Sequence, residues 1–246
     1  MKIPNTQIIY QPSGRAREYN DLAANLYAGC SHGCRYCYVP SAVRRQRDDF
    51  HVDPQPRKGV IAKLQSDCRA LFGLDLPPIH LSFTTDPYQP CETEHRITRQ
   101  AIQVIKRAGL NVEILTKGGL RATQDFDLLG NGDAVAASLT FLDAEKSADW
   151  EPNAAPPAER IEYLRQAKSQ GLKTWVSLEP VIEPEETFAL IRATHAFVDL
   201  YKVGPLNHHR AADEVNWAVF GAEVVSLFEE LGCDYYLKED LRERML

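Results

Sequence analysis

The sequence has no run of 18 apolar residues, so nothing in it reads as a membrane-spanning helix. Its opening stretch, MKIPNTQIIYQPSGRAREY, lacks an apolar signal core, and a cytoplasmic, reducing compartment is expected. Basic residues are not in excess. The 28 Lys and Arg stand against 34 Asp and Glu, a formal charge of −6, which disfavours a purely electrostatic nucleic-acid binder and leaves room only for a local basic patch. No internal repeat or low-complexity tract is present. The one Pro-rich stretch, EPNAAPPAE at 151–159, reads as a loop entering a helix. Cysteine is scarce, six in 246 residues, and in a reducing compartment a disulfide framework is not expected. With 44% hydrophobic residues the chain has enough apolar side chains for a core, so disorder is excluded as its main state.

Three of the six cysteines lie within eight residues, as CSHGCRYC: Cys30, Cys34 and Cys37. Six cysteines scattered at random would give this CxxxCxxC triple in about 0.4% of sequences, so the spacing marks a site. A structural zinc ion takes four ligands, and here only His32 or a distant residue offers a fourth. A cubane iron–sulfur cluster held wholly by protein takes four thiolates. Three thiolates on four irons leave one iron open to a substrate or cofactor, which separates a catalytic cluster from an electron carrier. Gly29 and Gly33 permit the tight backbone such a loop needs. Cys68, on an apolar helix face, and Cys233, opening a strand, read as buried structural thiols.

CxxxCxxC with an aromatic residue before the last cysteine, here Tyr36, resembles the signature of the radical S-adenosylmethionine (SAM) superfamily. The resemblance implies a [4Fe-4S] cluster on Cys30, Cys34 and Cys37. It implies that the open iron chelates SAM and that the reduced cluster cleaves SAM to a 5′-deoxyadenosyl radical. Flavodoxin or ferredoxin is the implied electron donor. Tyr36 is then a wall between cluster and adenine as well as a packing residue. A zinc-stabilised, non-catalytic binding module is the alternative of a different class.

The rest of the chain alternates strand-like and helix-like segments. Strands are expected at 26–29, 78–83, 111–117, 134–140, 173–179, 198–204 and 233–238. Helices are expected at 59–73, 97–109, 123–130, 156–171, 184–195 and 213–232. About six βα units imply a parallel sheet with right-handed crossovers, too few for a closed eight-unit barrel. The expected fold is α/β, a partial, open (β/α)6 TIM-like barrel with its site at the C-terminal strand ends. A single domain is expected over 1–246, with an N-terminal extension at 1–25, the barrel core at 26–205, and a C-terminal helix and tail at 206–246.

Polar residues that close apolar strands are the further site candidates. SAM joins an amino acid to a nucleoside, so its ammonium, carboxylate and ribose each need a partner. Thr84, Thr85 and Asp86 suit the ammonium, Lys117 the carboxylate and Ser138 the ribose. The segments TTDPYQPCETEHRITRQAI, ILTKG, ASLTF and WEPNAAPPAERIEYLRQAKSQG resemble the spore photoproduct lyase-like branch of the superfamily, from about Tyr27 to Ile182. In that branch the residues matching Lys117 and Ser138 contact SAM. One departure matters. The lyase carries Cys-Ser-Asp where this chain has Thr84-Thr85-Asp86, and its cysteine donates the hydrogen atom that quenches the product radical. A threonine O–H bond is too strong for that role, and Cys91 lies five residues beyond Asp86. The chain is therefore expected to be a relative with another substrate, and Tyr38 is carried over as a catalytic candidate beside Tyr36.

Glu179 and Lys202 end apolar strands as charged residues, so either an ion pair between them or a catalytic role is expected. Glu18 and Tyr19 have no role from the sequence beyond packing. Arg35, Arg44, Arg45 and Arg47, with His208, His209 and Arg210, read either as a solvated face or as phosphate contacts to a nucleic acid. The substrate is then a nucleobase or nucleic acid. The alternative is a peptide or small metabolite covered by the N-terminal 25 residues or the C-terminal tail.

Overall fold

The computed structural model describes residues 3–207 and 209–246. Among the described residues ten strands form: β1 Ile9–Tyr10, β2 Ala23–Ala24, β3 Tyr27–Ala28, β4 Gln55–Pro56, β5 Ile79–Leu81, β6 Val112–Thr116, β7 Ala134–Ser138, β8 Lys173–Val181, β9 Leu200–Pro205 and β10 Tyr235–Leu237. Eight make one sheet in the order β1-β2-β5-β6-β7-β8-β9-β10, while β3 and β4 form a separate antiparallel ribbon. Within the large sheet every pairing from β2 across to β10 is parallel, and β1 runs antiparallel at its edge. The sheet does not close, as expected of a partial barrel.

The main connecting helices are α1 Val60–Ala70, α2 Ile97–Arg107, α3 Pro157–Ser169, α4 Pro184–Thr194 and α5 Trp217–Leu231; α6 Glu239–Arg244 follows β10. Helix α2 buries Ala101, Ile102, Val104 and Ile105 and places Lys106 and Arg107 at its carbonyl end, where the dipole favours them. Helix α3 opens with Pro157. Asn216 caps α5 through Val219 N–H (3.1 Å), and Gly232 ends it in the left-handed conformation. All five residues of β7, AVAAS, are buried, as a central parallel strand covered on both faces requires. Each fully buried Leu or Ile of this core, such as Leu81 or Ile102, contributes about 1.5–3 kcal/mol.

Two elements differ from the sequence expectation. The first strand of the parallel sheet is Ala23–Ala24, not the LYAG segment. Asn25 Oδ1 accepts the N–H groups of Phe83 and Thr84 (both 2.9 Å), so a side chain takes over the pairing that the main chain would have continued. The backbone is freed to turn away, and Tyr27–Ala28 pairs with Gln55–Pro56 instead. Between β6 and β7 the expected helix is a 3-10 segment, Gly119–Leu128. Gly118 and Gly119 there pack closely on Tyr88, Ala155 and Glu159, with no room for a Cβ. No helix among the described residues is long and apolar enough to cross a membrane.

Candidate functional site

The cysteine loop leaves β3 through Gly29, whose φ of +99° and 2.7 Å approach of an added Cβ to Phe50 O demand glycine. Its backbone is then fixed from all sides. Thr85 Oγ1 donates to Gly29 O (2.6 Å), and Cys30 N–H donates to Phe50 O (3.2 Å). Ser31 N–H donates to Gln89 Oε1 (2.9 Å). Arg47 donates to the carbonyls of Cys37 (3.1 Å) and Cys34. The 150–153 loop clamps the far side: Arg35 N–H donates to Trp150 O (2.8 Å), and Asn153 Nδ2 donates to Ser31 O (2.9 Å).

Cys30, Cys34 and Cys37 line one cavity of about 490 Å³ at the C-terminal strand ends. Among the described residues no three His, Cys, Asp or Glu side chains converge as a single-ion site. Burial pushes the Cys34 thiol up to about 12 and raises Cys30 and Cys37 as well. Buried thiols of this kind give up their protons to a metal centre that supplies the missing positive charge. Three buried polar atoms of the same cavity wall, His32 Nε2, Ser82 Oγ and Thr84 Oγ1, have no hydrogen-bond partner. Three thiols and unpaired polar atoms around one cavity fit an iron–sulfur group with a polar ligand.

The polar residues picked from the strand ends gather at this cavity: Thr84, Thr85, Asp86, Lys117, Ser138 and Glu179 line it, as do Tyr36 and Tyr38. Their local roles diverge. Asp86 accepts from Thr116 Oγ1 (2.6 Å), Lys117 N–H (2.7 Å) and Tyr88 N–H (2.8 Å), so its carboxylate ties β5 to β6. Thr85 is held between Gly29 O and Gln89 Nε2 (3.0 Å). Thr84 keeps a free hydroxyl. Burial draws the Lys117 ammonium down, but Cys34 and Glu151 (3.9 Å) more than offset this and hold it above its ordinary value. Lys117 follows the Thr116–Ala137 pair, so it is level with Ser138.

A buried network beneath the loop was not picked out in the sequence. Glu151 and Arg160 are 1% exposed and paired at 2.5 Å. Arg160 also donates to Ala155 O (2.6 Å) and Ser138 O (3.0 Å). Tyr36 OH donates to Glu151, which fixes the orientation of its ring. The only signal was a Glu and an Arg flanking the Pro-rich loop EPNAAPPAER.

The expected Glu179–Lys202 pair does not form. Ser138, Ser177, Lys202 and Tyr236 occupy one register row across β7 to β10. Glu179, Gly204 and Lys238 each follow two residues later, where the β8–β9 register shifts between Leu178 and Val181, and Glu179 and Lys238 meet there. Glu179 therefore pairs with Lys238 (2.8 Å), reaching across the side-chain-free Gly204. Lys202 stays below, outside the cavity lining, donating to Tyr19 O (2.8 Å) and Glu18 O (3.3 Å) and lying over the Trp175 ring. Tyr19 lines the cavity and donates to Glu179; Glu18 accepts from Tyr236 OH (3.0 Å) and Glu239 N–H (2.8 Å).

The arginine cluster divides. Arg47 is committed to the cysteine loop, and Arg45 donates to Asp49 O (2.6 Å) and covers Phe50. Arg35 pairs with Asp149. Arg44 and Arg210 are exposed. His209 accepts from Ala211 N–H (3.2 Å) and packs edge-on against Trp150, and His208 lies outside the described residues.

Residues 24–198, well over half of the chain, match the profile of the Radical SAM superfamily. An uncharacterised protein of Acidianus two-tailed virus is 30% identical over 199 residues, covering 74% of this chain and 64% of its own length. The radical SAM Nα-GlyT isomerase of Pseudomonas phage M6 is 26% identical over 192 residues, covering 74% of this chain and 37% of its own. The chain thus spans less than two thirds of the length of these relatives. Among solved structures, a double variant of spore photoproduct lyase with bound AdoMet and dinucleoside spore photoproduct superposes with a TM-score of 0.67 at 12% identity, covering 89% of this chain and 76% of that one. That likeness is one of fold. The profile match, carried by a span that contains the three-cysteine loop and the parallel strands beside it, places this chain in the radical SAM superfamily.

Proposed function

We propose that the chain is a radical SAM enzyme that takes a hydrogen atom from a nucleobase or another group of a nucleic acid. The observation that carries this reading is the common cavity of Cys30, Cys34 and Cys37 with Thr84, Lys117 and Ser138. The three cysteines would hold a [4Fe-4S] cluster. When bound and reduced, that cluster with SAM supplies a 5′-deoxyadenosyl radical. Lys117, kept cationic beside Glu151, is the partner for the SAM carboxylate. Ser138 offers its hydroxyl to the ribose and Thr84 its unpaired hydroxyl to the amino-acid end. Tyr36, anchored through Glu151, keeps its ring at the cluster wall. Thr85 and Asp86 act at one remove, by holding the loop and Lys117 in place. Electrons would come from a flavodoxin or ferredoxin. The nucleic-acid reading draws on the dinucleoside bound by the lyase variant and on exposed Arg44 beside the loop.

A specific observation favours a second reading, in which the substrate is a small metabolite or a single peptide side chain. Ser13, Arg15 and Ala16 from one end of the chain and Asn207, Lys238 and Asp240 from the other line the cavity together, and Arg15 bridges to Glu239 and Glu243 (2.9 Å) over it. Contacts between the two ends of the chain at the cavity favour a substrate that enters as a small molecule or a single side chain.

The test is anaerobic. Reconstituted protein receives dithionite and SAM, and 5′-deoxyadenosine and methionine are measured by mass spectrometry, with Cys34→Ala as control. Product in the parent protein and none in the variant is expected. Zinc near one per chain with no iron would reject both enzyme readings and leave a zinc-stabilised module. Salt-sensitive binding of DNA or RNA, weakened by Arg44→Ala, separates the first substrate class from the second.

A further inference from the structure

In the cavity that the cysteines line, three further side chains from distant parts of the chain meet. Glu179 lies two residues before the end of β8, Tyr19 comes from the segment before β2, and Lys238 follows β10. Lys238 Nζ donates to both Glu179 oxygens, at 3.0 Å to Oε1 and 2.8 Å to Oε2, and lies 4.4 Å from the centre of the Tyr19 ring. Tyr19 OH donates to Oε2 of the same carboxylate and lies 2.9 Å from Ser177 Oγ. The meeting depends on Gly204, because a Cβ there would stand 2.8 Å from Glu179 Cδ. Tyr19, Gly204 and Lys238 all fall outside the span of 24–198 shared with the superfamily.

Bond capacity shows what this group can do. A carboxylate accepts about four hydrogen bonds. Glu179 Oε2 receives two from the protein and Oε1 one. One acceptor position on Oε1 therefore stays open, and the side chain keeps 20% exposure where it borders the cavity, while that of Lys238 keeps 5%. The Lys238 charge already balances that of Glu179, so a second cation gains little there and an anion meets the carboxylate. We infer that Glu179 is a substrate-recognition residue, positioned by Lys238 and Tyr19 across Gly204, whose open oxygen receives a neutral N–H donor of amide or imide type from the substrate.

This inference rests on the radical SAM reading only in taking the cavity as the substrate's place. A nucleobase and a peptide amide both present such a donor, so the probes come in two pairs, each with and without the N–H. They are uridine with N3-methyluridine, and N-acetylglycinamide with its N,N-dimethylamide. Dissociation constants are measured by ligand-observed NMR on reconstituted, unreduced protein with SAM, where no turnover occurs. The unmethylated member of one pair is expected to bind at least tenfold more tightly than its methylated partner, and the pair that discriminates identifies the source of the donor. Glu179→Gln, which keeps the side-chain volume, is expected to bring the ratio below threefold, and Gly204→Ala, which displaces the carboxylate without removing a polar group, is expected to do the same. Lys238→Met is expected to weaken the preferred probe at least fivefold, with Lys238→Arg recovering part of the loss. Equal binding within both pairs, discrimination that survives in Glu179→Gln and Gly204→Ala, or no binding by any of the four probes overturns the inference. SAM cleavage by the parent protein is scored separately. Cleavage without probe discrimination refutes this inference alone, and discrimination without cleavage refutes the radical SAM reading alone.

Discussion

Arg160→Met removes one partner of the buried ion pair beneath the cysteine loop and leaves the other in place. Breaking such a pair costs about 3–5 kcal/mol, because an uncompensated charge stays buried. Glu151 would still have Tyr36 OH and the Lys117 ammonium at 3.9 Å, so the lower end, about 3 kcal/mol, applies. In a chain of this size 1 kcal/mol moves the unfolding midpoint by about 2–4 °C, so a fall of about 6–12 °C is expected in calorimetry. The effect should depend on pH with a definite sign. Burial pushes the Glu151 carboxyl up, but Arg160, Lys117 and Tyr36 outweigh it and hold it below the ordinary carboxylate range. A carboxyl depressed in the folded state stabilises above its unfolded value, and that contribution is lost as pH falls through the folded one. The gap between parent and Arg160→Met should therefore be widest near pH 7 and narrow in acid. The double variant Arg160→Met/Glu151→Gln should recover part of the loss, because no orphan charge remains. A shift under about 2 °C, or a double variant no more stable than the single one, would refute the reasoning.

Iron content after anaerobic reconstitution should collapse in Cys30→Ala, Cys34→Ala and Cys37→Ala and persist in Cys68→Ala, Cys91→Ala and Cys233→Ala; iron retained in any of the first three would remove that residue from the ligand set. Gly29→Ala places a Cβ 2.7 Å from Phe50 O at a φ of +99°, a strain of about 1–3 kcal/mol, and should lower both the unfolding midpoint and the iron loading. Arg47→Ala frees the carbonyls of Cys34 and Cys37 and should reduce iron retention, whereas Arg44→Ala should affect only nucleic-acid binding. Equal iron in Arg47→Ala and the parent would return Arg47 to the surface patch.

The parallel strands could be read from the sequence because each is a short apolar run followed by a helical period, and that alternation is a local property of the chain. Thr84, Thr85, Asp86, Lys117 and Ser138 could be placed for the same reason, because they close or follow buried strands at the C-terminal end, whereas Lys202 lies inside β9 and below the cavity. What local pattern does not carry is partnership. Glu179 and Lys202 looked like a pair because both end strands and the strands are neighbours. Only the structure shows that Glu179 lines the cavity while Lys202 does not, and that Gly204 leaves the gap through which Lys238 reaches Glu179. Arg47 looked like part of a basic face until its guanidinium was seen on the cysteine-loop carbonyls. Asn25 gave no sign that its side chain would replace a strand hydrogen bond and turn the chain out of the sheet.

The sequence by itself determined the chemistry at one point and the class of the fold. Three cysteines at fixed spacing are a covalent fact of eight residues, and hydrophobic periodicity follows from strand and helix geometry. The tertiary structure alone decided how that chemistry is supported and bounded. Glu151 and Arg160 stand 9 residues apart and are paired at 2.5 Å beneath the cysteine loop. Tyr19 and Lys238, from opposite ends of the chain, meet at one carboxylate. Such contacts depend on where the strands and connections come to rest in space, and buried charges reveal their purpose only through the partners that the folded chain brings to them.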